Sequence, residues 1–179
     1  MTRLARFEGS VLPYLDAAYN LARWLTRNDQ DAQDVVQEAM LRAFRYFDSL
    51  RDADARPWLL AIVRNTGYSW LEKNRPAELV PFDEGTMNVE TEGVEAWRAA
   101  ESNPEVVMLQ AAQRKLVAQS LEELPVGYRE ILVLRELEDL SYKDIARIAG
   151  LPIGTVMSRL ARGRDLLRRT LEIRMKKAS

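Results

Sequence analysis

Residues 124–171 read LPVGYREILVLRELEDLSYKDIARIAGLPIGTVMSRLARGRDLLRRTL. Within them Ser141 is a candidate N-cap with Asp144 three positions on, the spacing of a capping box. Leu140 and Ile145 fall at the N′ and N4 positions of a hydrophobic staple, which fixes the angle at which the chain enters the helix. Gly150-Leu151-Pro152 ends that helix, because glycine accepts a positive φ and proline cannot continue the ladder. A second helix is predicted from about Ile153, carrying Arg159, Arg162, Arg164, Arg168 and Arg169. Two short helices joined by a glycine-containing turn, the second cationic, form the pattern of a helix-turn-helix DNA reader.

On a wheel of about 100° per residue, Val156, Leu160, Gly163, Leu167 and Leu171 fall on one stripe, the core face, with Gly163 permitting a close approach. Thr155, Ser158, Arg162, Asp165 and Arg169 cluster on the opposite face, with Met157 and Ala161 at its edge. Hydroxyls and free N–H groups at a helix N-terminus can hold phosphate, and Arg162 is long enough to reach a guanine edge in a major groove. A solvated charged face on an ordinary helix pair would give a similar charge run. The coincidence of cap, staple, turn and cationic face favours DNA.

The chain has no Cys and no His among its 179 residues. That excludes disulfides, thiol chemistry, imidazole acid–base work and the common zinc ligand sets. With no Gly-rich phosphate loop either, an enzyme is the least favoured class, and no catalytic residue, metal site or cofactor is expected. No apolar run of about 18 residues and no signal pattern is present, so a soluble chain without membrane insertion is expected.

The formal net charge of −1 hides an uneven distribution. Basic residues number eleven against ten acidic in 1–76, three against ten in 77–123, and twelve against seven in 124–179. A near-neutral piece, an acidic middle and a basic end suggest two modules and a connector. Residues 77–105, AELVPFDEGTMNVETEGVEAWRAAESNPE, combine Pro, Gly, Thr and seven Glu without helical periodicity, as a flexible tether would. The expected fold is therefore all-α, with two small helical domains, 1–76 and 106–179, joined by that acidic linker.

The first module reads as helices throughout. In 10–27, Leu15, Ala18, Ala22 and Leu25 recur at helical spacing with Pro13 in the first turn. In 31–48, Ala32, Val35, Val36, Ala39, Met40, Ala43, Phe44 and Phe47 make a broad apolar stripe. Asp31, Asp34 and Glu38 share one outer face near that helix start. They either complement the helix dipole or form an acidic docking strip for a basic partner. A catalytic carboxylate pair is disfavoured because nothing nearby supplies a substrate pocket. Residues 56–76 place Pro57 at N1 and stop at Pro76, with Leu59, Ile62, Val63, Thr66 and Trp70 as the expected core. Arg56, Arg64, Asn65, Tyr68, Lys73 and Arg75 suit a single strand, where rings stack on bases and cations track phosphates. Trp58, Tyr68 and Trp70 could equally be core rings. The polar loop 48–55 could present side chains to a partner.

D31AQDVVQEAMLRAF44, W58LLAIVRN65 and L124PVGYREILVLRELEDLSYKDIARIAGLPIGTVMSRLARGRDLL167, in that order, resemble the extracytoplasmic-function (ECF) sigma factors, the minimal two-domain class of bacterial sigma factors. The last block is the most specific, and together the blocks span both modules. The resemblance implies a factor that binds core RNA polymerase, directs it to promoters through minus-35 and minus-10 elements, and helps melt the latter. It places Asp31, Asp34, Gln37 and Glu38 on the helix that docks on the polymerase clamp. It assigns the loop 48–56 with Ser49, Arg51 and Arg56, and then Arg64, Asn65 and Tyr68, to the minus-10 element. It assigns Met157, Ser158, Ala161 and Arg162 to the minus-35 groove, with Thr155 and Arg159 at the backbone.

The partners so implied are core RNA polymerase, promoter DNA and an anti-sigma factor that covers these surfaces, with no small-molecule substrate and no cofactor. The implied location is cytoplasmic, nucleoid-associated in the holoenzyme. The acidic linker resembles the segment threaded through the polymerase cleft. Ser69 and Glu72 stand where relatives often have an acidic residue and then arginine. Met157 replaces a position that is frequently basic, and Ala161 offers only a methyl. Two alternatives remain: a sigma-like protein that titrates an anti-sigma factor, and a helix-turn-helix regulator independent of polymerase.

Overall fold

Thr2 caps the first helix, α1 (Arg3–Val11), its side chain accepting from the Ala5 N–H. The computed structural model describes residues 1–51, 53–79 and 104–179, with side chains from 108 in the last stretch. The order continues with α2 (Leu15–Thr26), α3 (Asp29–Arg45), α4 (Ala55–Asn74), α5 (Pro104–Glu122), α6 (Val126–Leu132), α7 (Tyr142–Ala149) and α8 (Ile153–Ala178). Short 3₁₀ turns at Leu12–Tyr14, Phe47–Ser49 and Pro76–Leu79 join these elements, and a π turn at Val133–Leu137 extends α6. No strand occurs among the described residues, so the expected all-α class is the observed one.

The expected helix over 10–27 is two elements instead of one. Pro13 sits in the 3₁₀ turn between α1 and α2, where its missing N–H breaks the ladder. Ala18, Leu21, Ala22 and Leu25 of α2 are fully buried. Asn28 caps α3 by accepting from the Asp31 N–H, and Ala32, Val35, Val36, Ala39 and Ala43 face inward. Asp54 rather than Arg56 caps α4, accepting from the Arg56 N–H, so Pro57 stands in the first turn but not at N1. The buried face of α4 is Leu59, Leu60, Val63, Thr66, Gly67 and Leu71, while the expected core residues Ile62 and Trp70 are only partly buried. Gly67 faces α2 closely: a Cβ there would meet Leu25 Cδ1 at 2.8 Å, so that leucine would have to shift its side chain to admit one.

The second module follows its sequence signals. The Ser141 side chain accepts from the Asp144 N–H at 3.1 Å, Leu140 and Ile145 are buried, and Gly150 ends α7 at φ 66°. Val156, Leu160 and Gly163 of α8 are buried. A Cβ on Gly163 would lie 3.2 Å from Leu132 Cδ1, the close approach that its place on the stripe anticipated. Leu167 is only half-buried, because the stripe leaves the shelter of α6. Most of the expected linker, residues 80–103, lies outside the described residues.

The two modules share one continuous hydrophobic core. α7 packs on α4, and α6 on α2. The pattern of apolar residues predicted each module but not this contact.

Candidate nucleic-acid interface

Two neighbouring charged residues of α6 hold the modules together. Arg129 is 2 % exposed and Glu130 is fully buried. Consecutive helix residues diverge by about 100°, so the two point to different helices. The Arg129 Nε donates to the Trp24 carbonyl at 2.7 Å and a terminal nitrogen to the Leu124 carbonyl at 2.8 Å. A longer bond of 3.4 Å reaches the Leu25 carbonyl. The guanidinium thus supplies donors to the carbonyls left free at the end of α2. Burial, then the nearby Arg27 cation, lowers its pKa to about 10. Beside it Arg27, at φ 57°, ends α2 and donates to the Glu122 carbonyl and the Glu78 carboxylate.

Glu130 faces α4. Arg64 donates to both carboxylate oxygens at 3.0 and 3.2 Å, and the Tyr68 hydroxyl donates to Oε1 at 2.7 Å. The Arg64 guanidinium also lies over the Tyr68 ring, 3.8 Å from its centroid. Burial and the Glu130 charge push the Tyr68 hydroxyl far above its ordinary range. Burial alone would lower the Arg64 pKa, but the Glu130 hydrogen bond and charge outweigh it and hold the cation. Just past the π turn, Glu138 accepts from Asn20 at 2.7 Å and from Arg56 at 3.2 Å.

The six residues assigned by resemblance to the minus-10 element therefore divide. Arg56, Arg64 and Tyr68 are engaged by carboxylates of the second module, whereas Ser49, Arg51 and Asn65 are exposed. The Ser49 hydroxyl donates to the Tyr46 carbonyl at 2.6 Å, and Arg51 lies in the left-handed region at φ 46°. Leu50, buried between them, anchors the loop.

On α3, Asp34, Gln37 and Glu38 form one exposed strip, and Asp31 is half-buried beside it. Asp31 pairs with Arg75 at 3.3 Å and Glu38 with Arg42 at 3.0 Å. The exposed Glu38–Arg42 pair contributes at most about 1 kcal/mol, so the exposed part of the strip stays open to exchange partners.

On α8, Met157 is exposed and Thr155, Ser158, Arg159, Ala161 and Arg162 are half-buried. The Ser158 hydroxyl donates to the Thr155 carbonyl at 3.0 Å. The cationic face is thinner than its arginine count suggests: Arg164 pairs with Glu136 at 2.6 Å, and Arg168 and Arg169 both pair with Asp165. Sequence patterning did not reveal Asn20, Arg129, Glu130 or Glu138 as contact residues. A signal existed for one pair, since Arg129-Glu130 interrupts the apolar residues of VGYREIL, a helix buried along its whole length.

Models of two families match the chain: Sigma-70 region 2 over residues 11–76 and Sigma-70 region 4 over residues 114–167. The chain is 39 % identical over 142 residues to the ECF RNA polymerase sigma-E factor of Escherichia coli K12, covering 76 % of this chain and 72 % of that protein. It is 35 % identical over 176 residues to the RNA polymerase sigma-H factor of Pseudomonas aeruginosa, covering 96 % and 89 %. Among solved structures it resembles the sigma factor RpoE of Bartonella quintana, in complex with the anti-sigma factor NepR. The TM-score there is 0.68 at 25 % identity, over 94 % of this chain and 98 % of that one.

Proposed function

The chain belongs to the extracytoplasmic-function sigma factors, and on that premise we propose how its residues divide the work of promoter recognition. Asp31, Asp34, Gln37 and Glu38 form the strip that docks on core RNA polymerase. Ser49, Arg51, Arg56, Arg64, Asn65 and Tyr68 receive the melted minus-10 strand. Thr155, Met157, Ser158, Arg159, Ala161 and Arg162 meet the minus-35 duplex. The first domain spans 1–76 and the second 106–179, with the acidic linker of 77–105 between them. The chain performs no covalent chemistry and acts in the cytoplasm, at the nucleoid when in holoenzyme.

The observation that carries this division is the pairing of Arg56, Arg64 and Tyr68 with Glu138 and Glu130. A guanidinium and a phenol hydroxyl gathered on an anion are the donors a phosphodiester needs. In the closed arrangement carboxylates fill that role, so strand binding requires α4 to part from α6 and α7. Polymerase, by holding both domains beside adjacent DNA elements, supplies the effective concentration that offsets opening. An anti-sigma factor, such as the one bound to the Bartonella relative, would act by holding the closed form.

Two substitutions test separate halves. Asp34→Lys with Glu38→Lys should abolish co-elution with core polymerase, and retained co-elution would refute the docking strip. Arg162→Ala should weaken promoter binding by about 1–3 kcal/mol in a base-dependent way. Equal weakening on every sequence would make Arg162 a phosphate contact instead.

A further inference from the structure

The N-terminal half of α8 carries two large apolar side chains that do not pack inward. Ile153 is 46 % and Met157 52 % exposed, although Val156 and Leu160 on the same turns are buried. Residues four apart on a helix are surface neighbours, so Ile153, Met157 and the half-buried Ala161 make one continuous strip. Single exposed apolar residues need no explanation; three in register beside the reading face do.

What covers the strip is set by its surroundings. Pro152 at the N-cap offers no capping side chain, leaving the first N–H groups of α8 for an anion. Arg162 follows Ala161 on the adjoining face, away from Val156 and Leu160. An occupant that brings phosphates to the helix start and an apolar group to its flank is a DNA major groove. The thymine C5-methyl is the apolar group that base pairs present in that groove.

We propose that Ile153 and Met157 form an apolar clamp for a thymine methyl, and so make thymine a required base in the minus-35 element. This rests on the placement of α8 at that element. Specificity is then of two kinds on one helix: a polar edge, Ser158 and Arg162, reads donors and acceptors, and the apolar edge reads a methyl. Ala161, too short to interfere, leaves room for the methyl to seat.

The test uses reconstituted holoenzyme and a promoter selected from a random library, with each minus-35 thymine on either strand replaced in turn by deoxyuridine. This exchange removes one methyl and leaves every hydrogen-bonding group in place. At one position the wild-type holoenzyme should bind about fourfold more weakly, the loss expected for one methyl-sized apolar group. The same exchange should cost nothing in Met157→Ala or in Ile153→Ala, both surface changes that leave Val156 and Leu160 in the core. A wild-type holoenzyme indifferent to every uracil exchange overturns the proposal, and so does a penalty that persists undiminished in both variants. Scrambling the whole minus-35 element is the separate control. If that too has no effect, the placement of α8 at the element fails; if it abolishes binding while uracil is tolerated, only the apolar clamp fails.

Discussion

Arg129 connects one residue to the coherence of the whole chain. It is buried with its donors spent on the carbonyls of Trp24, Leu25 and Leu124. Such a cation is kept only where its donors meet acceptors, since an unpaired buried charge is costly. Arg129→Ala leaves several carbonyls without donors and opens a void, and should lower stability by about 2–4 kcal/mol. Urea denaturation followed by circular dichroism measures this, and a loss below about 1 kcal/mol would show that the contact is replaceable by water. Tyr68 gives a pH signature. Its folded pKa lies above the ordinary value of 10.0, so its contribution to stability is fully present below about pH 10 and declines above it as the unfolded chain ionises. Tyr68→Phe should therefore flatten part of the stability decline above pH 10.

At the level of elements, the second module was largely legible. Ser141, Asp144, Gly150 and Pro152 each do locally what their chemistry requires, and local chemistry is what a sequence displays. The first module was legible in its stripes but not its boundaries. Pro13 fits a helix start in general, yet here it sits in a 3₁₀ turn because α1 precedes it. α4 packs against α2, α3 and α7, so its buried positions spread over more than one face, to Leu60, Gly67 and Leu71, while Ile62 and Trp70 are only partly buried. Ser141→Ala should cost about 1 kcal/mol by leaving the first turn of α7 uncapped, without changing the reading surface of α8. A thermal shift with unchanged promoter preference is the expected pair of results.

For the molecule as a whole, the contact between modules escaped the sequence. Glu130 and Glu138 carry no signal of their own, since nothing in hydrophobic period says which distant helix a carboxylate will meet. Their removal gives a direct prediction. Glu130→Gln with Glu138→Gln leaves Arg64 and Arg56 without counter-charges, so the closed form weakens. The radius of gyration should rise in solution scattering. Affinity for a fluorescent single strand should increase about tenfold, equivalent to about 1.4 kcal/mol, because the glutamines keep part of the hydrogen bonding while the charge attraction is lost. Unchanged size and affinity would mean that apolar packing of α4 on α7 holds the closed form alone.

Promoter recognition that depends on polymerase is decided by run-off transcription with purified core enzyme and a promoter selected by the reconstituted holoenzyme. A transcript from one defined start is predicted whenever this chain is present, lost with Asp34→Lys and Glu38→Lys. Tight duplex binding by the chain alone, with no transcript when core polymerase is added, would contradict it.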